Sequence, residues 1–217
     1  MYRVYLAGEL FSLKHLSGNL LLADALHDAS GGTYRCILPQ DLEQRETTPL
    51  SIRNQDISAV LRCDLGLFHF DGPEPDSGTI VEFMLAKMLD IPSVIVRTDF
   101  RKGGDQGSEP WNLMMSFYPR SKTVLLDAMA IYQRERLGQP STVAALKAAS
   151  NIVAREIISA FREVQSMSAV LQKPDREAVY RWFRSLPGSG FSELIAEDEM
   201  KAILLDKESR GLYAEED

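Results

Sequence analysis

The hydrophobic positions of the first 126 residues follow two periods in turn. Residues 2–7 (YRVYLA) form a short β-rich run that ends at Gly8, and residues 11–27 repeat apolar side chains at helical spacing. The alternation continues, and it predicts further strands at residues 35–38, 65–70, 93–97 and 122–126 and further helices at residues 50–61 and 79–89. Strands that alternate with helices predict right-handed βαβ units and a parallel sheet covered on both faces.

The pattern changes after residue 138. Residues 142–167 form one long amphipathic helical pattern, and residues 175–186 form a second one, which Pro187 and Gly188 end. We therefore expect an α/β domain at residues 1–138. A helical extension at residues 139–217 is expected to pack on that domain or on a neighbouring subunit. The apolar stripe of the long pattern exceeds what one small sheet face needs, which favours a homo-oligomer.

Composition narrows the classes of function. The chain has 217 residues, of which 45% are hydrophobic and 25% charged, as in an ordinary folded protein. The formal net charge of −7 and the lack of a large Lys/Arg cluster argue against a nucleic-acid partner. No apolar run approaches the ~18 residues of a membrane span and no signal peptide is evident, so we expect neither membrane insertion nor export.

The cysteines and histidines predict a protein that binds no metal and no cofactor and that resides in a reducing cytoplasm. Cys36 and Cys63 are too few for a disulfide framework. Three histidines lack metal-ligand partners at helical or strand spacing and are assigned to structure: His15, His27 and His69. Residues 98–110, rich in Gly and charge, predict a mobile loop, and residues 214–217 predict a solvated acidic end.

Candidate chemistry follows the third predicted strand, because ligands of open parallel sheets bind beyond the carboxyl ends of the strands. Residues 71–82 read DGPEPDSGTIVE. A Gly-containing turn that opens a helix normally binds an anion, but Asp71, Glu74 and Asp76 would repel phosphate. Glu82 is expected in the first helical turn, where the helix dipole favours an ionised carboxylate, and this makes it a candidate nucleophile.

A second interpretation of the same residues stays open. Residues 79–82 (TIVE) also fit a capping box, in which the Glu82 side chain returns to the N-cap amide of its own helix. In that case Glu82 would only begin a helix.

Several segments match one known family in the same order. The run from Asp76 to Glu82 resembles the signature of the nucleoside 2-deoxyribosyltransferase family. The other matching segments are Tyr5-Leu6-Ala7-Gly8 with Phe11, Ile37-Leu38-Pro39-Gln40, Asn54-Gln55-Asp56 followed by Asp64, and Trp111-Asn112-Leu113-Met114. The resemblance covers about residues 2–126.

The resemblance implies a flavodoxin-like, doubly wound parallel sheet and a defined reaction. Glu82 would attack C1′ of a deoxyribose and form a covalent glycosyl–enzyme intermediate while the nucleobase leaves. A second base would then attack the same carbon, giving net retention without a metal or cofactor. Tyr5 would donate its hydroxyl to Glu82 and orient it. The implied partners are nucleosides and free nucleobases.

The resemblance also implies roles for residues around the sugar and the base. Asp76, and more distantly Asp56, would bind the base and pass it a proton. Asn112 would reach a neighbouring subunit's site to contact the sugar 5′-hydroxyl, with Met114 near the base or sugar. The other implied substrate contacts are Gly8, Phe11, which would stack on the base, Asp71 and Gly78.

Less specific interpretations remain for these residues and for the activity. A purely structural role also fits both residues, with Tyr5 as a half-buried aromatic residue of a strand and Asp71 as a residue that shapes a turn. Water could replace the second base, which would make the protein an N-glycoside hydrolase, and a non-catalytic nucleoside sensor is a third possibility. Related 5′-monophosphate hydrolases place Ser where this chain has Asp76, so the Asp favours an unphosphorylated nucleoside.

Overall fold

A computed structural model of the chain describes residues 1–42, 48–101 and 110–213. Within these residues, five parallel strands form one sheet in the order β2-β1-β3-β4-β5. The strands are β1 (Tyr2–Ala7), β2 (Tyr34–Ile37), β3 (Leu65–His69), β4 (Ser93–Arg97) and β5 (Ser121–Leu125). This is the strand order of flavodoxin-like sheets, so the predicted fold class is confirmed.

Helices cover both faces of the sheet. They are α1 (Leu13–Ala29), α2 (Pro49–Arg62), α3 (Ser77–Met88), α4 (Ala128–Gly138), α5 (Thr142–Gln165), α6 (Lys173–Phe183), α7 (Phe191–Leu194) and α8 (Glu197–Ser209). The sequence pattern missed α4 because this helix buries none of its side chains and so lacks an apolar stripe. Most of the predicted mobile loop, residues 102–109, and the acidic end, residues 214–217, lie outside the described residues.

The alternation of side chains along β1 decides which residues reach which face. Val4 and Leu6 pack in the cluster that α1 and α5 cover, whereas Tyr5 and Ala7 pack in the cluster that α2 and α3 cover. β1 lies between β2 and β3, so its side chains are buried on both faces. Tyr5 therefore points toward α2 and α3.

The long helix α5 uses its apolar stripe within its own chain. Ile157 and Phe161 are fully buried between α1 and the sheet, whereas Val143 and Leu146 near the helix start are 65% and 41% exposed. The stripe that favoured an oligomer is thus largely satisfied inside the molecule. The homo-oligomer stays a prediction.

The last three helices pack on the opposite side, outside α2 and α3. Tyr180, Phe183 and Phe191 share one buried cluster with Leu61 of α2 and Leu89 at the end of α3. The boundary predicted at residue 138 falls between α4 and α5, which pack against each other, and it stays a prediction.

Asp64 ties the last helix to the start of the sheet. This carboxylate, 1% exposed, accepts the backbone N–H of Arg3 at 2.7 Å and two hydrogen bonds from the Arg210 guanidinium at 2.6 and 2.9 Å. Burial alone would raise the pKa of Asp64, but the hydrogen bonds from Arg210 and Arg3 outweigh it and lower the pKa. The pair therefore stays ionised in the interior.

We expect Asp64→Ala to lower the free energy of unfolding by about 3 kcal/mol, because it leaves the Arg3 amide and the Arg210 guanidinium without their acceptor. Asp206→Ala is the matched control, since Asp206 contacts the same Arg210 but its side chain is 53% exposed. Its cost should stay under about 1 kcal/mol. Urea denaturation at pH 7 measures both, and equal losses would contradict a buried anchor at residue 64.

Candidate active site

A hydrogen bond between a strand residue and a helix residue lies at the carboxyl edge of the sheet. Tyr5, 1% exposed on β1, donates its hydroxyl to Oε1 of Glu82 on α3 at 2.6 Å. Glu82 is itself only partly exposed. Two residues 77 positions apart in sequence are therefore brought into direct contact.

The start of α3 is fixed by an acidic cap. Oδ2 of Asp76 accepts the backbone N–H of Thr79 at 2.9 Å and the Thr79 hydroxyl at 3.1 Å. A Cβ at position 78 would stand 3.0 Å from the same oxygen, so Gly78 lets the cap approach closely. Among the described residues, the other oxygen of Asp76, Oδ1, has no hydrogen-bond partner.

This cap corrects two expectations about Glu82. α3 begins at Ser77, so Glu82 is its sixth residue and lies in the second turn, not the first. The capping-box interpretation is also wrong, because the N-cap is Asp76 and Thr79 donates to it. The helix starts two residues earlier than predicted because a carboxylate at 76 caps it by accepting the free amide of Thr79.

Burial, and not the helix dipole, dominates the electrostatics of Glu82. Burial raises the pKa of Glu82 to about 7; the Tyr5 hydrogen bond opposes the rise, and the charges of Asp56 and Asp76 add to it. Burial also raises the pKa of Asp56 to about 6, and its Oδ1 is buried with no partner in the described part of the chain. Burial, reinforced by Glu82, raises the pKa of Tyr5 well above 10, so Tyr5 remains a neutral donor.

Three carboxyl groups and a phenol from β1, α2 and the start of α3 thus influence one another at this edge. The sequence model of the nucleoside 2-deoxyribosyltransferase family matches residues 4–114, which is just over half of the chain. The chain belongs to this family. The matched segment contains every residue of the Tyr5–Glu82 site.

Solved structures with a similar fold include a 2-deoxyribosyltransferase from Leishmania mexicana, at 22% identity and a TM-score of 0.48, covering 65% of this chain and all of that one. A conserved protein from Enterococcus faecalis has 19% identity and a TM-score of 0.47, covering 75% and 98% of the two chains. A CMP N-glycosidase from Clostridium botulinum has 13% identity and a TM-score of 0.41, covering 63% and 99%. The comparison with curated proteins finds no match.

The other residues that the family resemblance singles out occupy three kinds of position. Gly8 lies at the end of β1, where a Cβ would stand 3.0 Å from the Cβ of His69. Phe11 and Met114 project into solvent, at 75% and 76% exposure. Asn112 is exposed, and its Oδ1 accepts the Met114 amide at 2.9 Å. Substrate contacts at these four residues stay predictions.

Asp71 organises the exits of two neighbouring strands. Its Oδ1 accepts the amides of Thr98 and Asp99 at 2.6 and 2.9 Å, and its Oδ2 accepts the Thr98 hydroxyl at 2.7 Å. The carboxylate is therefore already engaged by the segment that follows β4. A substrate contact of Asp71 stays a prediction.

Arg97 was not singled out from the sequence, although it shapes the loop before α3. Its side chain is 2% exposed, and its Nη1 donates to the carbonyl oxygens of Phe70 and Gly72 at 2.6 and 2.9 Å. The available signal was a charged residue at the end of an otherwise apolar strand. Arg97 thus holds the turn that leads to Asp76.

The described residues offer no other obvious chemistry. No group of three or more His, Cys, Asp or Glu side chains in ranges 1–42, 48–101 and 110–213 is placed to hold a metal ion. In the same ranges, no helix has the length and apolar character needed to cross a membrane. Burial raises the pKa values of Cys36 and Cys63 to about 12, so both thiols stay protonated at neutral pH.

We expect Glu82→Gln to stabilise the protein in a pH-dependent manner. The pKa of Glu82 is raised on folding from 4.5 to about 7, so the contribution of this carboxyl to stability is fully present below pH 4.5 and is lost as pH rises to 7 and above. Gln mimics the protonated carboxyl and can still accept the Tyr5 hydroxyl. Its advantage should grow between pH 5 and 8 by on the order of 2 kcal/mol, after allowance for partial exposure.

Chemical denaturation at several pH values measures this difference. Glu74→Gln is the matched control, because Glu74 is an exposed carboxyl in the turn before the same helix. An equal trend in the two variants would contradict a desolvated carboxyl at position 82.

Proposed function

We propose that this protein is a nucleoside 2-deoxyribosyltransferase that moves 2-deoxyribose between nucleobases through a covalent intermediate on Glu82, with net retention. Family membership supports the class of reaction. The observation that carries the residue assignment is the 2.6 Å hydrogen bond from Tyr5 to Glu82 at the carboxyl edge of the sheet. Asp56 and Asp76 contribute further carboxyl groups to the same site.

In the first half-reaction, Glu82 forms a bond to C1′ of the deoxyribose as the bond from C1′ to the base nitrogen breaks. Tyr5 occupies Oε1, which leaves Oε2 as the attacking oxygen. The electron pair of the broken bond goes to the base, which takes up one proton. In the second half-reaction another base returns its N–H proton to the aspartate that protonated the first base, and its nitrogen bonds to C1′ on the face that the first base left. The bond from C1′ to Oε2 breaks, and Glu82 departs as a carboxylate.

The burial of Glu82 suits both steps. Desolvation destabilises the carboxylate, as its raised pKa of about 7 indicates, whereas the glycosyl ester is neutral and tolerates burial. The oxocarbenium-like transition state lies between the free carboxylate and the ester, and the negative charge that remains on Glu82 stabilises it. Tyr5 donates to the same carboxyl group throughout, because its own pKa lies too high for it to ionise.

Proton transfer to the leaving base is assigned to the two aspartates. The free Oδ1 of Asp76 can contact the base while Oδ2 stays fixed by Thr79. Asp56, with a pKa raised to about 6, retains a proton in a fraction of molecules near neutrality and can supply it. The two groups thus combine positioning with proton donation.

The substrate is assigned as an unphosphorylated nucleoside. The helix N-terminus that would attract a phosphate is already capped, since Asp76 takes the Thr79 amide. The charges of Asp56 and Asp76 already act on the Glu82 carboxyl, so a phosphate there would add to the repulsion.

The proposal includes a homo-oligomer with shared sites. Asn112 and Met114 lie on an exposed 3₁₀ turn, and the side-chain cap fixes the backbone between them. A neighbouring chain is the partner that would use the exposed Met114 thioether and the Asn112 amide nitrogen. The cytoplasmic location also stays part of the proposal.

The decisive experiment incubates the protein with 2′-deoxyinosine and adenine and follows the products by chromatography. We expect deoxyadenosine and hypoxanthine from the wild-type chain, and no exchange from Glu82→Ala, because C1′ then has no nucleophile. Asp206→Asn is the matched control at an exposed carboxylate of α8, outside the site, and it should retain exchange.

Each other outcome has a defined meaning. Free deoxyribose without a new nucleoside would replace the transferase by the hydrolase, and bound but unreacted nucleoside would indicate the sensor. Full exchange by Glu82→Ala would eliminate the mechanism.

We expect Tyr5→Phe to lower kcat by ~10- to 100-fold while KM changes little, because the variant loses one orienting hydrogen bond to the nucleophile. The phenyl ring keeps the apolar packing of β1. Steady-state kinetics of the same exchange reaction measure the effect, with Tyr34→Phe as a control tyrosine whose hydroxyl contacts Gln165 on the opposite face of the sheet. An unchanged kcat would remove Tyr5 from the mechanism.

A further inference from the structure

A cavity opens at the carboxyl edge of the sheet, on the face opposite Glu82. It measures about 340 Å³ and lies between α1, α4 and α5. Tyr5 faces α2 and α3, whereas the residues of this cavity include Leu22 and Val153, which pack in the cluster of the α1 and α5 face. We call it the α1–α5 cleft. The cleft is therefore separated from the Tyr5–Glu82 site by the sheet itself.

Two histidines leave buried ring nitrogens without a partner in this cleft. Nε2 of His15 lies 3.0 Å from a carboxylate oxygen of Glu9, whereas its Nδ1 is buried and has no hydrogen-bond partner among the described residues. Nε2 of His69 is likewise buried, and the nearest carboxylate oxygen, on Asp71, is 3.9 Å away. Burial lowers the pKa of His69, so its ring is neutral near pH 7.

Nδ1 of His15 and Nε2 of His69 would be satisfied by an uncharged ligand that forms hydrogen bonds to them. Nε2 of His15 is paired with Glu9, so Nδ1 is the ring nitrogen that remains for a ligand. An unmade hydrogen bond in a buried position is costly, which favours a ligand that completes it. The carboxylates of Glu9 and Asp71 offset the positive charge of Lys14, so the lining does not favour an anion.

The rest of the lining is apolar and suits a flat ring. Ile131 of α4 and Leu146 and Val153 of α5 form one wall, and the Tyr132 ring stands at the rim. The volume is at the small end of the range for small-molecule sites. An apolar wall with a few hydrogen-bonding groups at the opposite side matches a planar heterocycle with N–H donors.

We propose that the α1–α5 cleft is a second binding site, which takes a neutral nitrogen heterocycle of nucleobase size through His15 and His69. The site is independent of the Glu82 chemistry. His69 also packs against Gly8, because a Cβ built on Gly8 would stand 3.0 Å from the Cβ of His69. A ligand bound to His69 therefore contacts a residue that adjoins Gly8, where the loop toward the active site begins. The free bases of the proposed reaction belong to this chemical class.

Gly18 supplies a way to close the cleft without disturbing the catalytic residues. It lies within α1 and lines the cleft, and a Cβ placed on it meets nothing within 4 Å. Gly18→Leu therefore fills the cavity and also favours the helix, because Leu has the higher helix propensity. Ala149→Leu fills it from α5, on the other wall. Gly138→Leu is the matched control, since Gly138 also has open space around it but lies outside the cleft.

The first test is a proton NMR titration of the full chain with adenine and, separately, with cytosine. The chain has three histidines, and His27 on the exposed side of α1 serves as an internal reference. We expect the ring resonances of His15 and His69 to shift with one of the bases while that of His27 does not. The shifts should vanish in Gly18→Leu and Ala149→Leu and persist in Gly138→Leu. No shift at His15 and His69 with either base would overturn the proposal.

Equilibrium dialysis with the base that binds then counts molecules per chain. We expect Gly18→Leu and Ala149→Leu to bind one molecule fewer than the wild-type and Gly138→Leu chains. An unchanged count in both cleft-filling variants would place all binding at Glu82 and overturn the second site, leaving the transferase intact. Histidine shifts without any base exchange would instead support the cleft and defeat the proposed transferase.

Discussion

The hydrogen bond between Tyr5 and Glu82 links the first strand to the third helix and sets the position of the whole site. It exists because β1 sends Tyr5 to the face covered by α2 and α3, and because α3 begins at the edge where β3 ends. The bond holds one oxygen of a carboxyl that burial would otherwise keep protonated. Position and electrostatics of the site therefore both follow from the alternation of side chains in one strand.

The order of strands and helices in the first 126 residues was predictable because each element repeats its apolar positions at the period of its structure. The residues that meet in the site were brought to notice by the family resemblance, not by the periodicity. Asp71 and Glu82 illustrate the difference: both follow the same strand, yet Asp71 is engaged by the amides after β4 and Glu82 by a phenol. Sequence spacing alone does not separate these two cases.

The differences between the predicted and the observed structure have physical causes in contacts that each segment makes. The start of α3 was placed at residue 79, where Thr79 fits a capping box, whereas the carboxylate of Asp76 caps the helix and makes Ser77 and Gly78 helical. α4 was missed because it buries no side chain. Arg97 and the α1–α5 cleft depend on contacts between distant segments, which a linear pattern does not contain.

The anchor at Asp64 has a consequence for biosynthesis. The carboxylate stands just before β3, but the guanidinium that neutralises it comes from residue 210, close to the end of the described chain. A nascent chain on the ribosome thus completes its sheet strands long before this charge finds its counterion and before α6 to α8 cover α2 and α3. Until then the apolar surface of α2 and α3 is exposed to solvent. Newly made molecules therefore pass through a stage in which chaperones can bind this surface.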